Sequence, residues 1–499
     1  MSIAILASRA QLGIGAPAVT IEVFLSGGLP RFSVVGMPET AVRESSDRVR
    51  GAIINSGLPF PRERITVSLA PADMRKTGGR FDLAIALGIL CAQKVIPARA
   101  LDSTEFLGEL SLNGGLRPVP GVLPAALKAC EAGNALMVPK ENAHEAALAG
   151  CTVYPATTLL DVIAHLRGTQ AIEAAPAIQP SAGEAEGPDL ADVRGQARAK
   201  RALEIAAAGG HNLLLVGPPG TGKSMLARRL PGILPAMTDS EALETAGVAS
   251  VLGNRIDLAR WRLRPFRAPH HTASAPAVVG GGPGPRPGEI SRAHNGVLFL
   301  DELPEFSRHV LEVLREPLEA GVITISRAAQ QADFPARVQL VAAMNPCPCG
   351  YLGDTHGNCH CSRDRVASYR SKISGPLLDR IDLRVEVGRP PKETLRDAGA
   401  GGERSIEVRQ RVVAARSLAL ARSGVCNAAL DGEQLEAVCG TSERALSLLD
   451  DAVDRFGLSV RAYHRVLRVS RTIADLAGTD RVGAVHLAEA LSLRALEKL

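Results

Sequence analysis

The sequence predicts an α/β chain: a phosphate-binding core, an α+β domain in front of it and a helical domain behind. Three observations predict this. At His211–Leu230, HNLLLVGPPGTGKSMLARRL, an apolar strand runs into a glycine-rich loop and then a helix. A second apolar run, Gly296–Glu302 (GVLFLDE), ends in two acids. Short strand-like runs crowd the front of the chain, while its end carries apolar residues at helical spacing. At 499 residues the chain has room for about three domains of roughly 150 residues each.

Residues 1–168 mix strand-like runs (Ala18–Leu25, Phe32–Val35, Arg64–Leu69) with amphipathic helices. The opening MSIAILASRAQ lacks the basic region and long apolar core of a signal peptide. The longest apolar runs, such as Ala84–Ala92, fall well short of the about 20 residues that span a bilayer. No membrane association and a cytoplasmic location are the expectations. Residues 169–188 follow in the stretch GTQAIEAAPAIQPSAGEAEGPD, rich in Ala, Pro, Gly and Glu with no apolar period, and read as a linker.

Residues 189–396 form the core. Its loop is Gly217, Pro218, Pro219, Gly220, Thr221, Gly222, Lys223 and Ser224, in the context of strand, turn and helix that phosphate binding requires. Glycines let the backbone amides wrap the phosphates of ATP. Lys223 is expected to reach the β- and γ-phosphates and the Ser224 hydroxyl to bind Mg²⁺. Downstream, Asp301 would complete the Mg²⁺ shell and Glu302 would polarise the attacking water. The bland alternatives are a chance match in a glycine-rich chain and a buried strand capped by solvated acids.

Charge is a weaker guide. The net charge is +5, and of 57 basic residues only nine are lysine, which genome composition explains as readily as guanidinium chemistry. Aromatics make up 3%, which argues against a surface built on base stacking. The segment Arg255–Arg292, between the loop and GVLFLDE, carries seven arginines against Asp257 and Glu289 and is rich in Gly and Pro. Such an insertion could track a phosphate backbone. Gly321–Leu340 reads as two strands around a turn near Ala328–Gln331, flanked by Arg327 and Arg337. For both segments the alternative is ordinary insert structure and subunit contact. His270 and His271, in APHH, suit loop structure or a phosphate contact better than a metal site.

Five of the nine cysteines are scattered (Cys91, Cys130, Cys151, Cys426, Cys439) and make no disulfide framework. The other four cluster in NPCPCGYLGDTHGNCHCS as Cys347, Cys349, Cys359 and Cys361. Four thiolates in a short Gly/Pro loop suit a structural Zn²⁺, with His356 or His360 able to replace one. Reduced buried thiols and a redox pair stay open. A metal knuckle there would stiffen the path from Asn345 to Arg380. After a break at Asp397–Arg404, residues 397–499 turn helical, at Ile406–Ala419, Ala445–Val453 and Arg461–Ala474.

The order of loop, VLFLDE, VAAMN (Val341–Asn345) and SGPLLDRID (Ser374–Asp382) resembles an AAA+ ATPase of the magnesium-chelatase-like branch. AAAGGHN, RPFRAPHH, GEISRAHNGVLFLDE and AAMNPCPCGY resemble the YifB/ComM family within it, and the likeness covers nearly the whole chain. The resemblance implies a helical lid in residues 397–499 and a hairpin in Gly321–Leu340 that related rings aim at their pore. It also implies Asn345 as the sensor that aligns water, Arg380 as an arginine finger for a neighbouring subunit and Arg461 as the second sensor. The alternatives are an Arg380 ion pair with Asp379 or Asp382, and a solvated stripe of Arg461, Arg465, Arg468 and Arg471. Residues 1–165 resemble the Lon-protease domain through FLGELSLNGGLRPVPG (Phe106–Gly121) and VPKEN (Val138–Asn142). Yet MRKTGGRFD (Met74–Asp82) has no serine, and Leu123 stands where the lysine is expected. Lys76 and Lys128 are out of register and Ser111 is a poor substitute, so a peptidase fold without its chemistry is expected. The function implied is a homo-oligomeric, hexameric DNA motor: a helicase for branch migration of single-stranded DNA in natural transformation. Two rivals are a metal-inserting chelatase subunit and a protein unfoldase. The first would lack the front domain and the cysteine loop, and the second would need an aromatic at a pore tip.

Overall fold

Alternation of buried and exposed side chains builds the front sheet; in Ala18–Ser26 it places Val19, Ile21, Val23 and Leu25 on one buried face. The computed structural model describes residues 2–178, 187–282, 284–327, 330–354, 359–390 and 402–494. Seven strands join in the order Arg31–Val35, Arg64–Ala70, Ala18–Ser26, Ser2–Arg9, Thr104–Phe106, Ala135–Pro139, Val153–Ala156. Ala18–Ser26 runs antiparallel to both its neighbours, and the remaining pairs are parallel. The apolar run Ala84–Ala92 lies in the helix Asp82–Ala92, every residue of which is buried, beneath Ser2–Arg9 and Ala18–Ser26. A helix apolar all round belongs in a protein interior when it is too short for a bilayer. Among the described residues, no helix is long and apolar enough to cross a membrane.

The core sheet is parallel throughout, in the order Phe266–Arg267, Val297–Leu300, Gln339–Met344, Leu213–Val216, Leu383–Glu386. Three of these strands are buried along their whole length, as expected for a parallel sheet covered on both faces. Behind the sheet, Ser405–Ser423 and Val460–Leu476 pack on Ala197–Gly209 and share one apolar cluster with the strands.

Two sequence expectations change. The helix after the phosphate loop is two short pieces, Lys223–Ala227 and Leu230–Ile233. Residues 170–178 are not a free tether: Ile172 and Ala175 pack on the front domain, and the Ala175 amide donates to the Val153 carbonyl at 2.8 Å. The middle of the stretch, 179–186, lies outside the described residues, as do 397–401 of the second break.

Front domain and core are docked. The Gly121 and Leu123 amides donate to the carbonyl and hydroxyl of Ser250 at 2.8 and 3.1 Å. Leu123 is fully buried among Met237, Ala242, Ala246 and Trp261 of the core. A second contact seats Leu12 and Ile14 against Ile325, Ala332 and Phe334 of the hairpin. Gly13 there lies so close that a Cβ would stand 2.6 Å from the Asp333 carbonyl oxygen. The hairpin strands are Val322–Arg327 and Gln330–Pro335; Ala328 and Ala329 of the expected turn lie outside the described residues.

Candidate active site

Parallel strands end together, so the residues that follow them converge at one edge of the sheet. Gly217 follows Leu213–Val216, Asp301 follows Val297–Leu300 and Asn345 follows Gln339–Met344. The backbone crossing is tight: a Cβ on Gly217 would sit 2.1 Å from the Val387 carbonyl oxygen, so only glycine starts this loop. The Thr221 hydroxyl donates to the Pro218 carbonyl at 2.9 Å, and Gln196 ties the Thr221 and Gly388 carbonyls together at 3.3 and 2.6 Å.

Inside this loop Lys223 Nζ donates to the carbonyls of Gly217 and Pro218 at 2.6 and 2.9 Å and to Asn345 Oδ1 at 3.1 Å. Burial pulls its ammonium below the ordinary lysine value, opposed by Asp301 and Glu302. Ser224 Oγ donates to Asp301 Oδ2 at 2.6 Å. These are hard oxygen donors at the head of a phosphate loop, the donor type that Mg²⁺ takes. Lys223, Ser224, Asp301, Glu302 and Asn345 therefore form one constellation.

Glu302 has a partner that sequence reading missed. His271 Nδ1 lies 2.9 Å from Glu302 Oε2, and His270 packs against the His271 ring with centroids 4.2 Å apart. His271 stands just past Phe266–Arg267, the strand paired with the one that carries Asp301 and Glu302. The pairing of those two strands, which the APHH phrase does not report, is what brings the ring to Glu302.

Arg380 and Arg461 lie elsewhere. Arg380 precedes Leu383–Glu386 at the opposite edge of the sheet, where its carbonyl accepts from Asn212 Nδ2 at 2.8 Å. Its guanidinium pairs with Glu319 and donates to the Pro376 carbonyl at 2.8 Å; neither Asp379 nor Asp382 is its partner. Asp382 instead pairs with Arg465 at 3.3 Å and His211 at 3.4 Å, which hold its carboxyl below the ordinary value against the effect of burial. Arg461 lines the same cavity as Arg380, of about 700 Å³, with seven arginines and four carboxylates in its wall. Among the described residues, the buried Nε atoms of Arg380 and Arg468 have no hydrogen-bond partner there. Along that helix the arginines grade inward: Arg461 is exposed, Arg465 and Arg468 are half-buried, and Arg471 is fully buried on Asp475 at 2.9 Å.

The basic insertion is largely neutralised. Arg262 pairs with Asp239, Arg264 with Glu241, and Arg267 and Arg292 with Glu289. Arg255, Arg260 and Arg286 are left without an ion pair among the described residues. Arg337 by the hairpin pairs with Glu244 at 2.6 Å, while the Arg327 side chain lies outside the described residues. The sulfurs of Cys347, Cys349, Cys359 and Cys361 all lie within 4.8 Å of one another. His360 is exposed and is not in that set, and His356 lies outside the described residues. The Tyr351 amide is the main influence drawing the Cys349 thiol down to about 6.

A five-stranded parallel sheet with a lysine-bearing phosphate loop, an Asp–Glu pair and a polar residue on the intervening strand defines a P-loop ATPase of the AAA+ type. Residues 189–395 match the family magnesium chelatase, subunit ChlI; residues 21–142 match subunit ChlI of Mg-chelatase, and residues 402–494 its C-terminal part. Competence protein ComM of Haemophilus influenzae is 52% identical over 504 residues, covering 100% of this chain and 99% of that protein. YifB of Escherichia coli is 48% identical over 502 residues, 100% of this chain and 98% of that protein. The magnesium-chelatase 38 kDa subunit of Cereibacter sphaeroides is 25% identical over 59% of this chain and 86% of that protein. The chain belongs to the ComM/YifB family of magnesium-chelatase-like ATPases.

Proposed function

We propose that the chain is an ATP-driven ring motor on DNA, a helicase that migrates branched strands during integration of incoming single-stranded DNA in natural transformation. One observation carries the assembly: Arg380 and Arg461 share a net-positive cavity at the sheet edge opposite the phosphate loop, with two orphaned guanidinium nitrogens. A group there serves a triphosphate held by another copy of the chain, so both arginines act on the neighbour's nucleotide. Stacking copies head to tail around a closed ring, a hexamer in this reading, makes every interface alike.

Within each site Lys223 and the loop amides hold the β- and γ-phosphates, and Asn345 and Glu302 orient and polarise the attacking water. Mg²⁺ held by Ser224 and Asp301 supplies charge neutralisation on the phosphates. The neighbour's Arg380 meets charge that develops on the transferred group. The helices behind the sheet act as the lid that carries Arg461.

The DNA contact is assigned to Arg255, Arg260 and Arg286 of the insertion and to the hairpin tip. The competence named in the Haemophilus influenzae relative supports it. We read the front domain as a Lon-like scaffold without peptidase chemistry. Leu123 is spent on docking to the core, and Gly79 lies so near Glu109 that a Cβ would meet its carboxylate at 2.5 Å. Gel shifts on single-stranded and forked DNA, with ATP turnover measured with and without DNA, test the proposal. Turnover indifferent to DNA but stimulated by an unfolded protein would overturn it.

A further inference from the structure

The cysteine cluster begins two residues past Asn345, and its spacing is that of a coordination shell. Cys347 is fully buried, with its sulfur 3.3 Å from that of Cys349 and 3.7 Å from that of Cys359; Cys349 and Cys359 are 3.6 Å apart. None is in a disulfide, whose sulfurs would be about 2.05 Å apart. Four sulfurs about 2.3 Å from a tetrahedral zinc stand about 3.8 Å from one another. Among the described residues, no carboxylate or imidazole joins the group, so the donor set is all thiolate, which selects zinc over Mg²⁺.

A second observation ties this knuckle to the nucleotide loop. Gly350, between Cys349 and Cys359, has φ +86° and faces Pro219, where a Cβ would come 2.7 Å from Pro219 Cδ and 3.7 Å from Asn345 Cγ. Its amide closes the turn onto the Cys347 carbonyl at 3.0 Å. From the helix beyond the cluster, Arg370 donates twice to the Pro346 carbonyl, at 3.2 and 3.1 Å. The turn is therefore wedged between the phosphate loop and the asparagine that accepts from Lys223.

We propose that Cys347, Cys349, Cys359 and Cys361 bind one zinc ion as thiolates, and that this metal-closed turn is the back wall holding Pro219 and Asn345 in their nucleotide-binding positions. Binding releases the thiol protons to solvent. The ion takes no part in hydrolysis; its work is to preorganise a loop whose neighbours would otherwise be free to shift. The wall's role rests on the ATP reading above, while the metal site does not.

Metal analysis of the full chain purified without chelator should find about one zinc per chain, and Co²⁺ in its place should show thiolate-to-metal charge-transfer absorption. Cys359→Ser should lose the metal and weaken binding of a fluorescent ATP analogue by about tenfold or more, through lost preorganisation. Gly350→Ala should keep the metal yet weaken the analogue similarly. If Cys359→Ser fails to fold, stripping the wild-type chain with a chelator gives the same readout. A chain that neither carries zinc nor takes it up from zinc-containing buffer overturns the site. Zinc-free or Gly350→Ala protein that binds the analogue as the wild type does overturns the wall. A zinc-loaded wild-type chain that binds no nucleotide would refute the ATP reading and leave the metal site standing.

Discussion

Arg380 is the sharpest test of the proposed assembly. Its carbonyl sits on the Asn212 side chain, and Gly217 begins the phosphate loop five residues further along the same strand. At about 3.3 Å per residue that is roughly 16 Å, further than an arginine side chain reaches. Its guanidinium is also turned to Glu319, away from its own loop. A finger supplied from a neighbour is worth about 10³-fold or more in turnover, so Arg380→Ala should lose about that much kcat with a much smaller change in ATP affinity. Lys223→Ala loses a charge-assisted bond to phosphate worth about 1.5–3 kcal/mol, roughly a 10- to 200-fold weakening of ATP. At ATP concentrations that saturate the wild type but not Lys223→Ala, each variant alone should be nearly inactive. Mixed in equal amounts, a productive interface needs Lys223 on one side and Arg380 on the other. Random mixing gives about one quarter of interfaces that pairing, so about a quarter of wild-type turnover should return. The assay is steady-state phosphate release from co-refolded mixtures, with Glu319→Gln as a control that should stay within about twofold of wild type. A mixture as inactive as its parents, or an Arg380→Ala chain at full speed, refutes the reasoning.

Further outcomes follow from the same geometry. Glu302→Gln should bind ATP normally and lose about 10²-fold or more in turnover, measured by equilibrium binding beside single-turnover hydrolysis. Replacing Arg255, Arg260 and Arg286 together by alanine should reduce the salt dependence of DNA binding by about three units of log–log slope, since the other arginines of the insertion are already paired; an unchanged slope places the contact elsewhere. Leu123→Lys, the residue a Lon-type peptidase would carry, buries an ammonium beside Trp261 and should cost several kcal/mol in chemical denaturation without creating peptidase activity. His294 bonds Glu244 through Nε2 at 3.0 Å and accepts the Arg337 amide through Nδ1 at 3.1 Å, and burial lowers its pKa from the ordinary 6.5. The neutral ring is the folded form, so its contribution to stability is present above pH 6.5 and is lost on acidification below it; melting temperatures should show this, and His294→Gln should flatten it.

The phosphate loop was legible because eight consecutive residues carry the chemistry and its flanking strand and helix are local. The four cysteines were legible for the same reason. Pairings decided by strand neighbours were not. His271 and Glu302 meet because Phe266–Arg267 lies beside Val297–Leu300, and no spacing in the sequence reports that adjacency. The insertion's arginines looked free because Asp239 and Glu241, the acids that neutralise two of them, lie outside the segment on the neighbouring helix. Arg380 and Arg461 are far apart in the chain, and only the packing of Val460–Leu476 behind the sheet brings them to one cavity. The stretch before the core looked polar enough to be a tether, yet two of its apolar residues were sufficient to seat its first half on the front domain.

The front domain holds two places that bear on the motor. Leu12 and Ile14 meet the hairpin through Ile325, Ala332 and Phe334, and Leu123 meets the start of the insertion through Trp261. Hairpin and insertion are the two elements assigned to DNA, and the insertion also carries His271 to Glu302. A displacement of either element therefore works against a contact with the front domain, and a displacement of the insertion also works against the site. Where a peptidase would keep a polar, open pocket, this chain has placed a leucine in a closed apolar joint. Leu123 is fully buried in that joint, so a polar side chain there would disturb the docking of the front domain and the insertion together.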